Sequence, residues 1–251
     1  MPEAIYSNFF TFKIRIKKEM TEIQKIKNSL AKKATGFTAG GFKPTNSISE
    51  SWIGRVYLYH ENEEIPLDND GELMLPLFQL CLNQLPFVPE ILEETKIITV
   101  FISKEFPMDL TLNGNNWVLR EYKSVDNIVV KDLKNNASFV KPFPLSNKLI
   151  EEDYPVWEDP EIPDDISDQI NQLEYSGIID SYYDIIENNY SHKIGGYATY
   201  CQSGIDFGED FEFVFQIASD EKANLNIVDS GNIYLAKNRK TEEWVFYCDF
   251  Y

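Results

Sequence analysis

The 251-residue chain predicts an α+β fold, mainly antiparallel β-sheet with a few helices. Three observations carry that expectation. Short runs rich in β-branched and aromatic residues recur along the chain, separated by Gly, Asn, Asp and Pro. Only a few stretches repeat apolar residues at helical spacing. One order of residues, Ile-Gly, then Phe-Gln-Leu/Ile, then an apolar run, occurs twice, which predicts an internal duplication of a turn-strand-turn-strand unit.

The elements follow in chain order. Phe10, Phe12, Ile14 and Ile16 alternate with Thr11, Lys13, Arg15 and Lys17, which predicts a half-buried strand. Thr21 and Gln24 fit a capping box, and Ile23, Ile26 and Leu30 continue at helical spacing. Gly36 to Pro44 reads as a loop, and its Gly40-Gly41 pair lacks the Gly-Lys-Ser/Thr ending of a phosphate-binding loop. Ser51 to Tyr59 reads as a turn and strand. Asp68-Asn69-Asp70-Gly71 reads as a tight turn. Glu72 to Leu82 is an apolar strand in which Pro76 predicts an edge or a bulge. Further strands are expected at 96–103, 117–120, 127–130, 211–217, 232–236 and 244–250. Asp164 or Asp165 caps a helix carrying Ile166, Ile170 and Leu173, and Gly177 separates it from a second helical stretch ending near Tyr190. The run Tyr197 to Tyr200 has a strand-like composition.

The echo sets the domain organisation. Trp52-Ile53-Gly54 matches Lys193-Ile194-Gly195, and Phe78-Gln79-Leu80 matches Phe215-Gln216-Ile217. The Ile-to-Gln spacing is 79 − 53 = 26 residues in one copy and 216 − 194 = 22 in the other. The expectation is one domain over 1–251, with related halves at about 1–140 and 164–251. The proline-broken stretch 141–163 reads as the surface connector between them. Gln79 and Gln216 lie inside apolar strands, where an unpaired amide costs about 1–3 kcal/mol, so both are expected to bond to backbone.

These residues resemble a family. His192-Lys193-Ile194-Gly195-Gly196-Tyr197, Phe215-Gln216-Ile217-Ala218-Ser219-Asp220 and Asp229-Ser230-Gly231-Asn232 are similar to the second half of YwqG-like (DUF1963) proteins. Pro66 to Gly71, Phe78-Gln79-Leu80 and Leu85-Pro86 are similar to their first half. Ala198, Ile227-Val228 and Arg55 depart from the pattern, standing where the family tends to have Pro, Trp-Gly and Gly. The resemblance implies a bacterial protein with a defined fold and an unassigned activity, some relatives resembling immunity partners of secreted toxins.

Charge narrows the partners. The net charge is −18, yet residues 1–60 hold ten Lys/Arg against four Asp/Glu. Between Lys148 and Lys193 there is no basic residue and there are 13 acidic ones. This 151–187 surface is expected to engage a basic protein partner. Direct nucleic-acid binding is disfavoured, since phosphates call for clustered Lys and Arg. No run is long and apolar enough for a membrane span, and nothing at the N-terminus reads as a signal peptide. The three cysteines, 81, 201 and 248, show no CxxC spacing and read as reduced thiols, so a cytoplasmic protein is expected.

The two histidines, His60 and His192, form no nucleophile or metal constellation with their sequence neighbours, so no catalytic residue, metal or cofactor is assigned. The candidate binding residues are His192, Lys193, Gly195, Gly196, Gln216, Asp229 and Gly231 in one half, and Trp52, Gly54 and Gln79 in the other. A Gly pair before aromatic residues marks either a tight turn or bare amides turned to a ligand. The leading expectation is a non-catalytic binding protein, and the alternative is a small-molecule-binding protein or enzyme with its site between the two Ile-Gly loops.

Overall fold

The computed structural model describes residues 20–157 and 159–251, so the strand expected at Phe10 to Lys17 lies outside the described residues. Helix α1 (residues 20–30) leads into β1 (Lys32–Ala39). There follow β2 (Trp52–Ile53), β3 (Leu58–His60), β4 (Leu75–Cys81), β5 (Ile97–Ile102), β6 (Thr111–Leu112), β7 (Trp117–Tyr122), β8 (Ile128–Val130) and β9 (Phe143–Asp153). Helix α2 (Asp164–Tyr175) precedes β10 (His192–Gly195), β11 (Phe211–Ala218), β12 (Asn232–Asn238) and β13 (Trp244–Asp249). Eleven strands form one sheet in the order β6-β13-β12-β11-β10-β1-β9-β2-β4-β5-β7, with every pairing antiparallel, while β3 and β8 form a separate pair.

Period-two alternation sends one set of side chains inward. Phe78, Val100 and Leu119 occupy paired positions on β4, β5 and β7. Phe215, Leu235 and Phe246 do the same on β11, β12 and β13. All six belong to one buried cluster, so the sheet curls around its own apolar face. The rings of Phe78 and Phe215 meet edge-on at 5.4 Å, and Trp117 meets Phe246 at the same separation. The curl brings the two ends together. Asn113 follows β6 and bonds like a strand residue to β7, accepting from the Leu119 amide (2.9 Å) and donating to its carbonyl (2.8 Å). Glu121 on β7 accepts from Lys237 on β12 (2.9 Å) and from the Trp244 indole on β13 (3.1 Å).

The opposite face of the sheet is covered by helices and loops. The two glutamines sit there, both fully buried. Trp52 pairs with Gln79 and Lys193 with Gln216, and a bulge precedes Phe78 and Phe215 alike. Gln79 Oε1 accepts from the amides of Tyr57 and Leu58, and its Nε2 donates to Glu50 O. Gln216 Oε1 accepts from the Thr199 amide and hydroxyl, and its Nε2 donates to Ser191 O. Each side chain thus satisfies backbone on both flanks of a short strand ending in Ile-Gly.

Several expected elements differ. Gly36 to Ala39 is not a loop but part of β1, the strand that lies between β9 and β10 in the sheet. Its Gly and Ala carry little strand signal, and two flanking strands supply the hydrogen bonds that hold it extended. The span 141–163 contains β9, an 11-residue strand at the sheet's middle. Pro142 and Pro144 lie at its beginning, where a missing amide costs least, and its later half exposes charged side chains. The second helical stretch is a single 3-10 turn, Tyr182–Asp184. Tyr197 to Tyr200 is not a strand: the residues ahead of the Gly pair form β10, and the aromatic run after it is irregular chain tied down by Gln216. Of the two outcomes expected at Pro76, an edge or a bulge, the bulge is found, inside the sheet.

Replacing Gln216 by Leu keeps volume but strands the Thr199 amide and the Ser191 carbonyl. Urea unfolding should show a loss of about 2–4 kcal/mol, and Gln79→Leu a similar loss. A change under about 0.5 kcal/mol in either would show that these bonds do not hold the covering loops.

Candidate functional site

The first candidate group gathers on the covered face of β10 and β11. Lys193 is wholly buried, and its ammonium donates to Asp153 Oδ2 at 2.8 Å. The Tyr197 amide donates to the same oxygen at 2.8 Å. Asp153 ends β9 and is itself buried, with no partner for Oδ1 among the described residues. Burial pushes the Lys193 ammonium below its ordinary value, with Asp153 working against that shift.

The Gly pair is explained by this packing. Gly195 and Gly196 hold φ of +76° and +70°. A Cβ on Gly196 would lie 2.1 Å from Asp153 Oδ2, and one on Gly195 would lie 2.6 Å from the Phe87 ring. The space beside both glycines is therefore occupied by protein, and the turn's Tyr197 amide faces a carboxylate of the same chain. Gly54 is similar, since a Cβ there would meet Lys141 O at 2.5 Å.

Asp159 stands at the edge of this group, buried, accepting from the Glu161 amide at 2.8 Å. Its carboxyl is pushed up from 3.8 to about 6, by burial first and then by the Glu161 charge. The Glu161 amide bond, Lys32 and Lys193 oppose the rise. Lys32 bonds to Glu161 and lies 4.0 Å over the Tyr197 ring.

His192 faces the other way from its neighbour Lys193. Its ring stacks edge-on against Phe78 at 5.1 Å. Nδ1 accepts from the Ala218 amide (3.0 Å), which assigns the ring proton to Nε2, 3.2 Å from Asp220 Oδ2. That bond holds the Asp220 carboxyl below its ordinary value. Cys201 is not in this contact set. It lies by Asn232, with its thiol pushed up to about 12 by burial and then by Asp249, which suits neither a nucleophile nor a metal ligand. Among the described residues no group of three or more His, Cys, Asp or Glu is placed to hold a metal ion.

The structure thus brings Lys193, Gly195, Gly196 and Gln216 into one patch, while the His192 side chain points to the opposite face of the sheet, against Phe78. Trp52, Gly54 and Gln79 form a second patch around β2 and β4, where Arg55 lies 4.8 Å over both Trp52 and Tyr57. Asp229 and Gly231 sit apart from both, in the turn before β12, with Asp229 exposed and Gly231 packed against Asp249 O. Asp153 and Asp159 were not legible as special, because 11 other carboxylates share their sequence window and nothing local marks those two.

Fold and site together define a strongly acidic α+β protein built on one curled antiparallel sheet, with polar chemistry concentrated under the loops of its outer face. The family described as a domain of unknown function (DUF1963) matches residues 53–240, and the chain belongs to that family. No curated protein matches it. Among the described residues no helix is long and apolar enough to cross a membrane.

Two outcomes follow from the buried charges. Lys193→Met leaves the Asp153 carboxylate uncompensated and should cost about 3–5 kcal/mol in urea unfolding, whereas Lys193→Met with Asp153→Asn should cost less than the single change. An additive double variant would show that the two groups are not coupled. For Asp159 the folded-state carboxyl titrates above its unfolded value, so the folded form binds the extra proton. Stability then falls as pH rises from about 4 to 6, and the full cost is present above that window. Asp159→Asn should raise Tm by roughly 5 °C at about pH 7.5 and give no gain near pH 4. An equal gain at both pH values would refute the assignment.

Proposed function

We propose that this chain is a non-catalytic, cytoplasmic binding protein that engages a basic protein through its acidic 151–187 surface, as an immunity-type partner of a basic toxin would. One observation carries this reading. Of the acidic residues described in that window, Glu151, Glu152, Glu161, Asp164, Asp165, Asp168, Asp180, Asp184 and Glu187 are exposed. Only Glu151 and Glu161 form ion pairs among the described residues, with Lys33 and Lys32. The apolar side of α2, Ile166, Ile170 and Leu173, packs on α1, which leaves Asp164, Asp165 and Asp168 turned to solvent. Two of these carboxylates suit the helix N-terminus, but they far exceed what one dipole calls for. Clustered uncompensated charge opposes folding and favours a cationic partner. Three unpaired cysteines support a reducing compartment.

We further propose that the two halves derive from one duplicated unit. The matching registers of Trp52 with Gln79 and Lys193 with Gln216 support it, as do the matching bulges. A crystal structure in which residues 53–102 and 194–236 do not superpose would remove it.

Tagged full-length protein, purified from its native host at about 50 mM salt, should retain a basic protein that is released by about 300 mM salt. The triple variant Asp164→Asn, Asp165→Asn, Asp168→Asn should retain at least about tenfold less. Recovery of the wild-type chain alone would overturn the reading.

A further inference from the structure

A cleft of about 610 Å³ opens beside the turn that joins β11 to β12. Tyr190, Ser219, Glu221, Asn224, Asn232 and Tyr251 line it, with Asn226 and Ser230 at its wall. Glu221 is its only charged residue and has no ion-pair partner among the described residues. Tyr190 and Tyr251 leave 47% and 66% of their surface exposed, enough to offer ring faces. Burial, then the nearby hydroxyl of Tyr183, raises the Tyr190 phenol.

Part of the hydrogen-bonding capacity of this cleft is used inside the chain. Asn224 Nδ2 donates to Phe139 O, and Asn226 Nδ2 to Val228 O. Asn232 is buried, and its Nδ2 donates to Thr199 O and Tyr234 Oη inside the protein. The Ser219 hydroxyl donates to Gly231 O. Asn232 and Ser219 thus spend their side-chain donors within the chain, while Asn224 and Asn226 each keep one amide N–H. The carbonyl oxygens of Asn232 and Asn224 have no partner among the described residues, and the Glu221 carboxylate accepts from none. The cleft therefore offers a visitor acceptors, a few N–H and O–H donors, one negative charge and two aromatic faces.

That set fits a planar cation rich in N–H groups. A guanidinium presents five donors and stacks on tyrosine rings. An anion would face the Glu221 charge with no cation in the lining to offset it, and a neutral saccharide would gain nothing from that charge. We propose that the cleft receives an arginine side chain of the basic protein partner. The inference rests on the proposed binding role and adds the chemistry by which that partner is gripped.

The test is an amide NMR titration of the full chain with the tripeptide acetyl-Gly-Arg-Gly-amide, its citrulline counterpart and maltose. The arginine peptide should move the amide signals of Ser219, Asn224, Asn226, Ser230 and Asn232, with half-saturation in the millimolar range. Glu221→Gln and Tyr251→Ala alter exposed side chains, so their spectra should stay dispersed while binding weakens at least about fivefold. No shift with the arginine peptide, or equal shifts with citrulline or maltose, would overturn the assignment. The triple variant at 164, 165 and 168 separates the two ideas, because it should bind the tripeptide like the wild type while losing the basic protein. Tripeptide binding without any basic partner would sink the binding role and spare the cleft. A basic partner without tripeptide binding would do the reverse.

Discussion

The arrangement hangs on a pair of uncharged side chains. Gln79 and Gln216 stand on the outer face of a curled sheet, under irregular chain that excludes water. Irregular backbone has no ladder to pair its amides and carbonyls, and buried backbone groups left unpaired are costly. A side-chain amide answers this because it carries an acceptor and a donor a few ångströms apart. Each glutamine uses the acceptor on the chain after its Ile-Gly turn and the donor on the chain before it. The two turns are thereby fixed against the sheet, and Lys193 is carried into contact with Asp153.

Charge is handled in two opposite ways within one short window. Asp153 and Asp159 are taken out of water, where a carboxylate is tolerated only beside a cation or with its titration moved upward. Their sequence neighbours stay in solvent, where like charge raises the local potential without a desolvation penalty. The same residue type thus serves internal architecture at two positions and the surface field at the others. Lys193 is committed to Asp153 and is withdrawn from any external ligand.

Closure of the sheet shows a further economy of parts. β6 is only two residues long, too short to hold an edge alone. Asn113 extends it by mimicking a backbone pair with Leu119, and Glu121 collects Lys237 and Trp244 from the far end of the sheet. The edges that would otherwise invite pairing with another chain are bridged by side chains.

Much of this was legible in the letters. The strands β4, β5, β11, β12 and β13 announce themselves through alternating or continuous apolar runs, since a strand half-facing a core must alternate and a covered one need not. The placement of Gln79 and Gln216 inside such runs already demanded backbone partners. By contrast, β1 and β9 were not legible: their strand state comes from neighbours distant in sequence, and local composition speaks of a loop. The sequence by itself determined the sheet-rich class, the acidic surface and the family resemblance, because periodicity and charge are local properties. Only the tertiary structure decided which carboxylates are buried, what fills the space beside the glycines and which hydrogen-bond groups a cleft has left over, because each depends on which distant atoms share the same few ångströms.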